Sequence, residues 1–176
     1  MRRVLVTGLG GFTGRYAQQE LEAHGWEVWG VGSQPLAGHP HYRCADLADI
    51  DSLRKVVAEV QPHAVLHLAA IAFVGHGTAN DFYRVNLMGT RNLLEAVAQA
   101  APQVACVLLA SSANVYGNSA AGMLDESTPP APANDYAVSK LAMEHMARLW
   151  LPRLPLVVTR PFNYTGVGQS TDFLLP

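Results

Sequence analysis

The run Arg3–Thr7 is short, apolar and β-branched, and it stops at Gly8-Leu9-Gly10-Gly11-Phe12-Thr13-Gly14, after which apolar residues recur with a helical period. No other feature of the chain restricts its fold as strongly. A strand that ends in a glycine-rich turn and enters a helix lets backbone amides approach a ligand without side-chain obstruction, and the helix aims its positive end at the same point. Strand, spacing and helix together predict a cradle for a pyrophosphate at Gly8, Gly11, Phe12, Thr13 and Gly14. A tight strand-to-helix turn without a ligand is the plain alternative for the same residues.

The alternation that begins there continues along the chain. Apolar runs near Arg3–Thr7, Glu27–Val31, His41–Ala45, Ala64–Leu68, Val104–Ala110 and Leu156–Arg160 read as strands, with helices near Phe12–His24, Ser52–Val60, Asn80–Ala100 and Asp135–Leu151. Strands alternating with longer helical stretches give an α/β fold, a doubly wound parallel sheet of Rossmann-like type, with crossover helices on its faces. Asp51 or Ser52 is expected to cap the second helix, and Gly25 to follow the last turn of the first. The segment Gly117–Asn134 contains Pro129, Pro130 and Pro132 and is expected to be a loop. A chain of 176 residues has room for one core, so residues 1–176 read as one dinucleotide-binding domain.

Composition excludes several classes of function. Hydrophobic residues make up 49% of the chain and charged residues 15%, with a net charge of −2, so nothing provides the basic footprint that nucleic acid or an anionic membrane requires. The apolar run after Met1-Arg2-Arg3 is too short for a signal core or a membrane span, which predicts a cytoplasmic protein. Cys44 and Cys106 both lie beside strand-like sequence and are expected to be small packing residues. His63 and His67 flank a strand, where that spacing does not converge on a metal, and no metal is assigned. His39, His41 and His76 read as loop residues, with His76 placed after the fourth strand where it could face a substrate.

Tyr136 and Lys140 stand four apart on a helix and therefore share a face. A phenol with a reference pKa near ~10 exchanges protons poorly at neutral pH, and a neighbouring ammonium should favour its phenolate and bring it toward the working range. Ser112 follows the fifth strand, outside the carboxyl ends of the sheet where such folds place ligands, and its hydroxyl could hold a carbonyl oxygen. The spacing of Tyr136 and Lys140 alone fits an amphipathic surface equally well. Its combination with Ser112 and the glycine turn points to a single catalytic site. Tyr116 is a competing phenol, but no lysine stands four residues after it.

Dinucleotide folds that take the unphosphorylated cofactor place a carboxylate at the end of the second strand. Here that position reads Gly32-Ser33-Gln34, and Arg15 follows the glycine turn, a pattern that leans toward NADP(H) over NAD(H). Asp46 after the third strand could accept from the adenine amino group or act as a loop acid. Ala69-Ala70 is small enough for a cofactor to pass closely.

These residues resemble the extended short-chain dehydrogenase/reductase family, also called the NAD-dependent epimerase/dehydratase family, over essentially the whole chain. The resemblance rests on Gly8 to Gly14, Asp46-Leu47, His67-Leu68-Ala69-Ala70, Asn86 in Val85 to Thr90, Ser111-Ser112 to Tyr116-Gly117, Glu126 to Pro129, Tyr136 to Lys140, and Arg160-Pro161-Phe162-Asn163. It implies a catalytic triad of Ser112, Tyr136 and Lys140, with Pro161 bordering the nicotinamide and Asn163 touching a sugar nucleotide. Leu47, Leu68, Ala69 and Ala70 join the cofactor contacts. Asn134 to Leu141 and the residues from Arg160 to Ser170 are similar to the branch of GDP-4-dehydro-6-deoxy-D-mannose reductases, which implies reduction of a C4 keto group on a GDP-linked sugar.

Dehydratases of the family carry an Asp-Glu pair after the catalytic hydroxyl, whereas this chain reads Ala113-Asn114. The triad serves a nucleotide-sugar 4-epimerase equally well, and a non-catalytic NAD(P)-binding module is a further alternative. The family pattern departs at Asp135 and Val167, where prolines are common. The resemblance also implies a homodimer through the helices near Asn80–Ala100 and Asp135–Leu151. The family's small C-terminal substrate lobe is expected to be largely absent, with its start near residues 163–176.

Overall fold

The structure, a computed structural model, describes residues 1–72, 78–118 and 122–170. His76 lies outside the described residues. The strands are β1 (Arg2–Thr7), β2 (Trp26–Gly32), β3 (Tyr42–Cys44), β4 (Ala64–His67), β5 (Cys106–Ala110) and β6 (Leu156–Thr159). They form one parallel sheet in the order β3-β2-β1-β4-β5-β6. The chain therefore runs outward from β1 in one direction and then, from β4, in the other, and the crevice beside β1 is where such a sheet admits a ligand. Register brings Thr7 opposite both Val31 and His67, and Ala110 opposite Thr159. The carboxyl ends of the four central and right-hand strands thus share one rim.

Helices α1 (Phe12–Ala23), α2 (Ile50–Val60), α4 (Thr90–Ala100) and α5 (Asp135–Arg148) follow the expected pattern. Alternate strand residues divide the core between two faces. Leu5, Val65, Val107 and Leu109 point to the face packed by α2, α4 and α5, against Leu53, Val57, Leu93, Val97 and Met143. Val4, Val6 and Val28 point to the other, where Leu9 and Leu21 cover them. The outermost strand β6 leaves Val157 and Val158 exposed. No helix among the described residues is long and apolar enough to cross a membrane.

Several local expectations change. The cap of α2 is Asp49, whose carboxylate accepts the amides of Asp51 and Ser52 at 3.1 Å each, because the helix begins two residues earlier than its apolar period suggests. Gly25 does follow α1, with the positive φ of 75° that a helix-ending glycine adopts. Cys44 is exposed at the end of β3, since that strand is short and at the sheet edge, whereas Cys106 is half-buried.

The stretch expected as one helix over Asn80–Ala100 is three pieces: α3 (Ala79–Phe82), a π-helical segment (Tyr83–Gly89) and α4. The widened turn buries Asn86, whose amide reaches two different segments, and local widening of this kind accompanies such side-chain placement.

Candidate active site

The glycine turn is shaped by close backbone packing. Gly8 has φ of 74°, and a Cβ there would lie 2.9 Å from the Ala69 amide nitrogen, so only glycine lets the turn rest on the segment after β4. A Cβ on Gly14 would collide with the carbonyls of Gly8 and Leu9. Helix α1 starts at Gly11 with no side-chain cap and no acid in its first turn, unlike α2 with its Asp49. Its first amides are therefore available to an anion at the turn.

A cleft of about 710 Å³ opens at this rim. Gly8, Gly11, Phe12, Thr13 and Gly14 line one side, Leu68 and Ala70 the floor, and Ser112, Tyr136, Lys140, Pro161 and Asn163 the other side. Residues predicted 150 positions apart thus share one cavity. Ala69 sits beneath the turn, its amide donating to the Thr7 hydroxyl at 3.1 Å. Ser33, Asp46 and Leu47 lie outside the cleft lining. Ser33 is exposed after β2, the Asp46 carboxylate accepts the Ala48 amide at 2.8 Å, and Leu47 packs against the core. Arg15 donates to the Gly168 carbonyl at 2.8 Å, so the cation considered for a 2′-phosphate is engaged elsewhere.

Ser112 follows β5 in extended backbone, close enough to the Tyr136 phenol to act on its ionisation, and its oxygen accepts the Asn114 amide at 3.1 Å. Asn134 caps α5, its side chain accepting the Ala137 amide, which starts the helix one residue before Tyr136. Lys140 is 4% exposed; its ammonium donates to the Ala110 carbonyl at 2.8 Å and lies 6.0 Å from the Tyr136 ring centre.

Burial pushes Lys140 down to about 8, and the Glu144 carboxylate works against that shift. The phenol does not behave as its neighbour predicts. Burial raises Tyr136 above its ordinary value, with the Ser112 hydrogen bond pulling the other way and Tyr164 adding to the rise. The ammonium is turned toward Ala110, and loss of hydration outweighs it.

Behind these groups lie polar residues that sequence patterns left without a role. Asn86, fully buried, accepts the Ile71 amide at 2.9 Å and donates to the Ile71 carbonyl and to the Ser139 hydroxyl, each at 3.0 Å. Ser139 donates in turn to the Tyr136 carbonyl. His67 bridges the hydroxyls of Thr7 and Thr90 at 2.6 and 2.8 Å. Thr90 spends its proton on the Asn86 carbonyl, so His67 Nε2 donates to Thr90 and Nδ1 accepts from Thr7. The ring is neutral, held down to about 3 by burial and by Lys140. His63 instead accepts the Arg3 amide, which leaves the two histidines with separate roles.

Tyr116 is committed to Arg160, whose guanidinium donates to its hydroxyl at 2.9 Å. Beyond β6 the chain folds back on α1: Tyr164 stacks on Phe12 and hydrogen-bonds the Thr13 hydroxyl at 2.6 Å, and Tyr16 donates to the Val167 carbonyl at 3.0 Å.

A parallel sheet in this order, with a glycine turn at its switch point, defines a dinucleotide-binding α/β fold. The model of the NAD dependent epimerase/dehydratase family matches residues 4–175, and the chain belongs to that family. It is 35% identical to the GDP-6-deoxy-D-talose 4-dehydrogenase of Aggregatibacter actinomycetemcomitans, over 99% of this chain and 57% of that protein. The GDP-6-deoxy-D-mannose reductase of Pseudomonas aeruginosa is 37% identical over 99% of this chain and 56% of its own. A dTDP-glucose 4,6-dehydratase of Neisseria meningitidis is 32% identical over 100% and 57%. The chain therefore spans rather more than half the length of these relatives.

Among solved structures, a Burkholderia cenocepacia protein assigned as an epimerase has a TM-score of 0.91 at 52% identity, covering 98% of this chain and 58% of that one. RMD from P. aeruginosa, complexed with NADPH, gives 0.81 at 36% identity, covering 99% and 58%. The UDP-glucose 4-epimerase of Brucella ovis, in complex with NAD, gives 0.84 at 30% identity, covering 99% and 55%.

Proposed function

We propose that this chain is the cofactor-binding and catalytic part of an NAD(P)-dependent oxidoreductase acting at C4 of a nucleotide sugar, with GDP-4-dehydro-6-deoxy-D-mannose as the substrate to be reduced. The observation that carries this reading is the shared cleft, in which the glycine turn faces Ser112, Tyr136 and Lys140. The crowding at Gly8 and Gly14 and the uncapped start of α1 fit a dinucleotide pyrophosphate, with Gly8, Gly11, Phe12, Thr13 and Gly14 around it. Leu68, Ala70 and Pro161 then border the remainder of NADP(H) or NAD(H). A bound reduced nicotinamide supplies hydride.

The chain's own residues handle the oxygen and its proton. Ser112 holds the C4 oxygen by hydrogen bonding, and Tyr136 gives it a proton from the phenol hydroxyl. A phenol raised by burial stays protonated at neutral pH, which suits a donor and therefore the reductive direction. Lys140 orients the cofactor ribose and provides the local positive charge. Asn163, at the cleft edge, contacts the sugar nucleotide. Ala113-Asn114, in a 3₁₀ turn immediately after Ser112, offer neither the acid nor the base that water elimination needs.

A 4-epimerase is the second reading, favoured by one observation. Tyr164, Arg15 and Tyr16 fasten residues 164–168 over α1 beside the phosphate turn, an arrangement that would retain a cofactor through many turnovers. We further propose one dinucleotide-binding domain with the substrate lobe starting near residue 163, in a cytoplasmic homodimer.

The deciding experiment measures turnover of GDP-4-keto-6-deoxymannose with NADPH and with NADH, and identifies any nicotinamide that co-purifies. Stoichiometric oxidation of added NADPH is expected. Tightly held NAD with interconversion of C4 epimers would favour the second reading, and cofactor binding without turnover would replace both by a binding module.

A further inference from the structure

Between the ends of β5, β6 and α5 lies a buried charge pair that the proposed chemistry does not use. Glu144 stands one helical turn beyond Lys140 and is 4% exposed. Its Oε1 accepts from the Ser111 hydroxyl at 2.5 Å and from Arg160 Nε at 2.9 Å, and its Oε2 accepts from Arg160 Nη2 at 2.7 Å. The same guanidinium donates to Tyr116 and lies 5.0 Å from that ring's centre. Both oxygens of one carboxylate are therefore committed, in fixed directions, to the segments that leave two different strands.

The neighbours of those partners give the arrangement its meaning. Ser111 immediately precedes Ser112, and Arg160 immediately precedes Pro161. Tyr116 closes the 3₁₀ turn that begins after Ser112. Each segment is thus referenced to α5, the helix that carries Tyr136 and Lys140. Burying an ion pair is a poor route to stability, because apolar residues of similar volume often do as well or better. A bidentate Arg–carboxylate pair does fix geometry.

We infer that Glu144 is a positioning residue, which sets the Ser112 hydroxyl against the Tyr136 phenol and holds the Pro161–Asn163 segment in line with both. This rests on the oxidoreductase reading and deepens it. The charged groups facing the carboxylate are Arg160 from the end of β6, and Lys140 and Arg148 from its own helix. Removing its charge takes away the carboxylate that works against the downward shift of Lys140.

The test compares Glu144→Gln, which keeps the shape, with Ser111→Ala, which removes one hydroxyl and keeps the ion pair. Misplacement of reacting groups on the ångström scale costs about 100-fold in rate. Glu144→Gln is accordingly expected to lower kcat by about 100-fold with KM little changed, and to move the alkaline limb of the pH profile to lower pH. Ser111→Ala is expected to lower kcat by about tenfold by the same reasoning. Val60→Ala, a cavity in the core at α2, serves as the control for destabilisation alone and should lower Tm without changing kcat at a temperature well below it.

Crystal structures of the two site variants should show Ser112 drawn away from Tyr136. Wild-type kcat and an unmoved Ser112 in folded Glu144→Gln would overturn the inference. If that variant fails to fold, the same result in Ser111→Ala overturns it alone. Should the wild-type protein neither bind nor turn over NAD(P)H, the oxidoreductase reading fails, while the position of Ser112 in the variants still decides the role of Glu144.

Discussion

The two sides of the cleft are built on different physics. At the β1–α1 turn the backbone is the proposed binding surface: Gly8 and Gly14 are there because side chains would collide, and the helix amides are left uncapped. Across the cleft, at the ends of β5, β6 and α5, the groups proposed to act are side chains held by other buried or half-buried side chains. Asn86, Ser139, His67, Glu144 and Arg160 surround Tyr136 and Lys140 with directed hydrogen bonds. A backbone site tolerates variation in what lies around it provided the glycines remain. A side-chain site depends on each supporting partner, and it carries the cost of burying charge.

This contrast can be broken first on the side-chain half. Tyr136→Phe removes one oxygen and is expected to lower turnover by about 10²–10⁴-fold. Nicotinamide fluorescence titration should give an unchanged cofactor Kd, because the phosphate turn on the opposite wall is untouched. A matching loss of cofactor affinity would mean that the two walls are not separable.

Lys140→Met probes the burial cost. The buried lysine titrates near 8 against 10.5 when exposed, so between those values the unfolded chain binds more protons than the folded one and stability rises with pH. Below pH 8 the full penalty is present, and above 10.5 it vanishes. The variant should be inactive yet stabilised at neutral pH by up to about 3 kcal/mol. Denaturant melts at pH 7 and pH 10.5 would test this, with equal differences at both arguing against a burial cost.

On the backbone half, Gly14→Ala forces a methyl against the Gly8 carbonyl. A stability loss of about 1–3 kcal/mol is expected, with cofactor affinity falling sharply while Tyr136 and Lys140 stay in place. Thermal melts and the same fluorescence titration measure both. Unchanged cofactor binding would remove the phosphate turn from the site.

The smallest effect at neutral pH is expected from His67→Gln, which offers an acceptor toward Thr7 and a donor toward Thr90. Burial holds His67 down to about 3 from 6.5, so acid favours the unfolded chain, which alone takes up the proton. Wild-type stability should fall from pH 6.5 toward 3 by this contribution, and the variant should show a shallower slope in melts across that range.

Much of the molecule was legible from residue order. Periodicity located the six strands, because parallel strands covered by helices are short apolar runs and the edge strands β3 and β6, though partly exposed, keep the same β-rich pattern, and the glycine spacing located the turn, because only glycine fits there. Ser112, Tyr136 and Lys140 stood out because each carries a group able to donate or accept a proton at a strand end or on a helix face, and the fold brings all three to one cleft.

Supporting contacts were harder to read, since they join residues far apart in the chain. A signal for Glu144 did exist, one turn after Lys140, but the same spacing is common on solvated helices. The break of Asn80–Ala100 into α, π and α segments also has no periodic signature, as it depends on Asn86 finding Ile71 and Ser139. The expected easing of Tyr136 by its neighbouring lysine failed for a related reason: spacing gives proximity, while burial and the competing Ala110 carbonyl decide where the charge goes.

The sequence by itself thus determined the sheet and the glycine turn, which follow from local sterics and periodicity, and singled out the residues proposed to do chemistry. The tertiary structure alone decided which of those residues meet, how their protons are held, and that Glu144 and Arg160 lie behind them, because desolvation and hydrogen-bond direction exist only once the chain has folded.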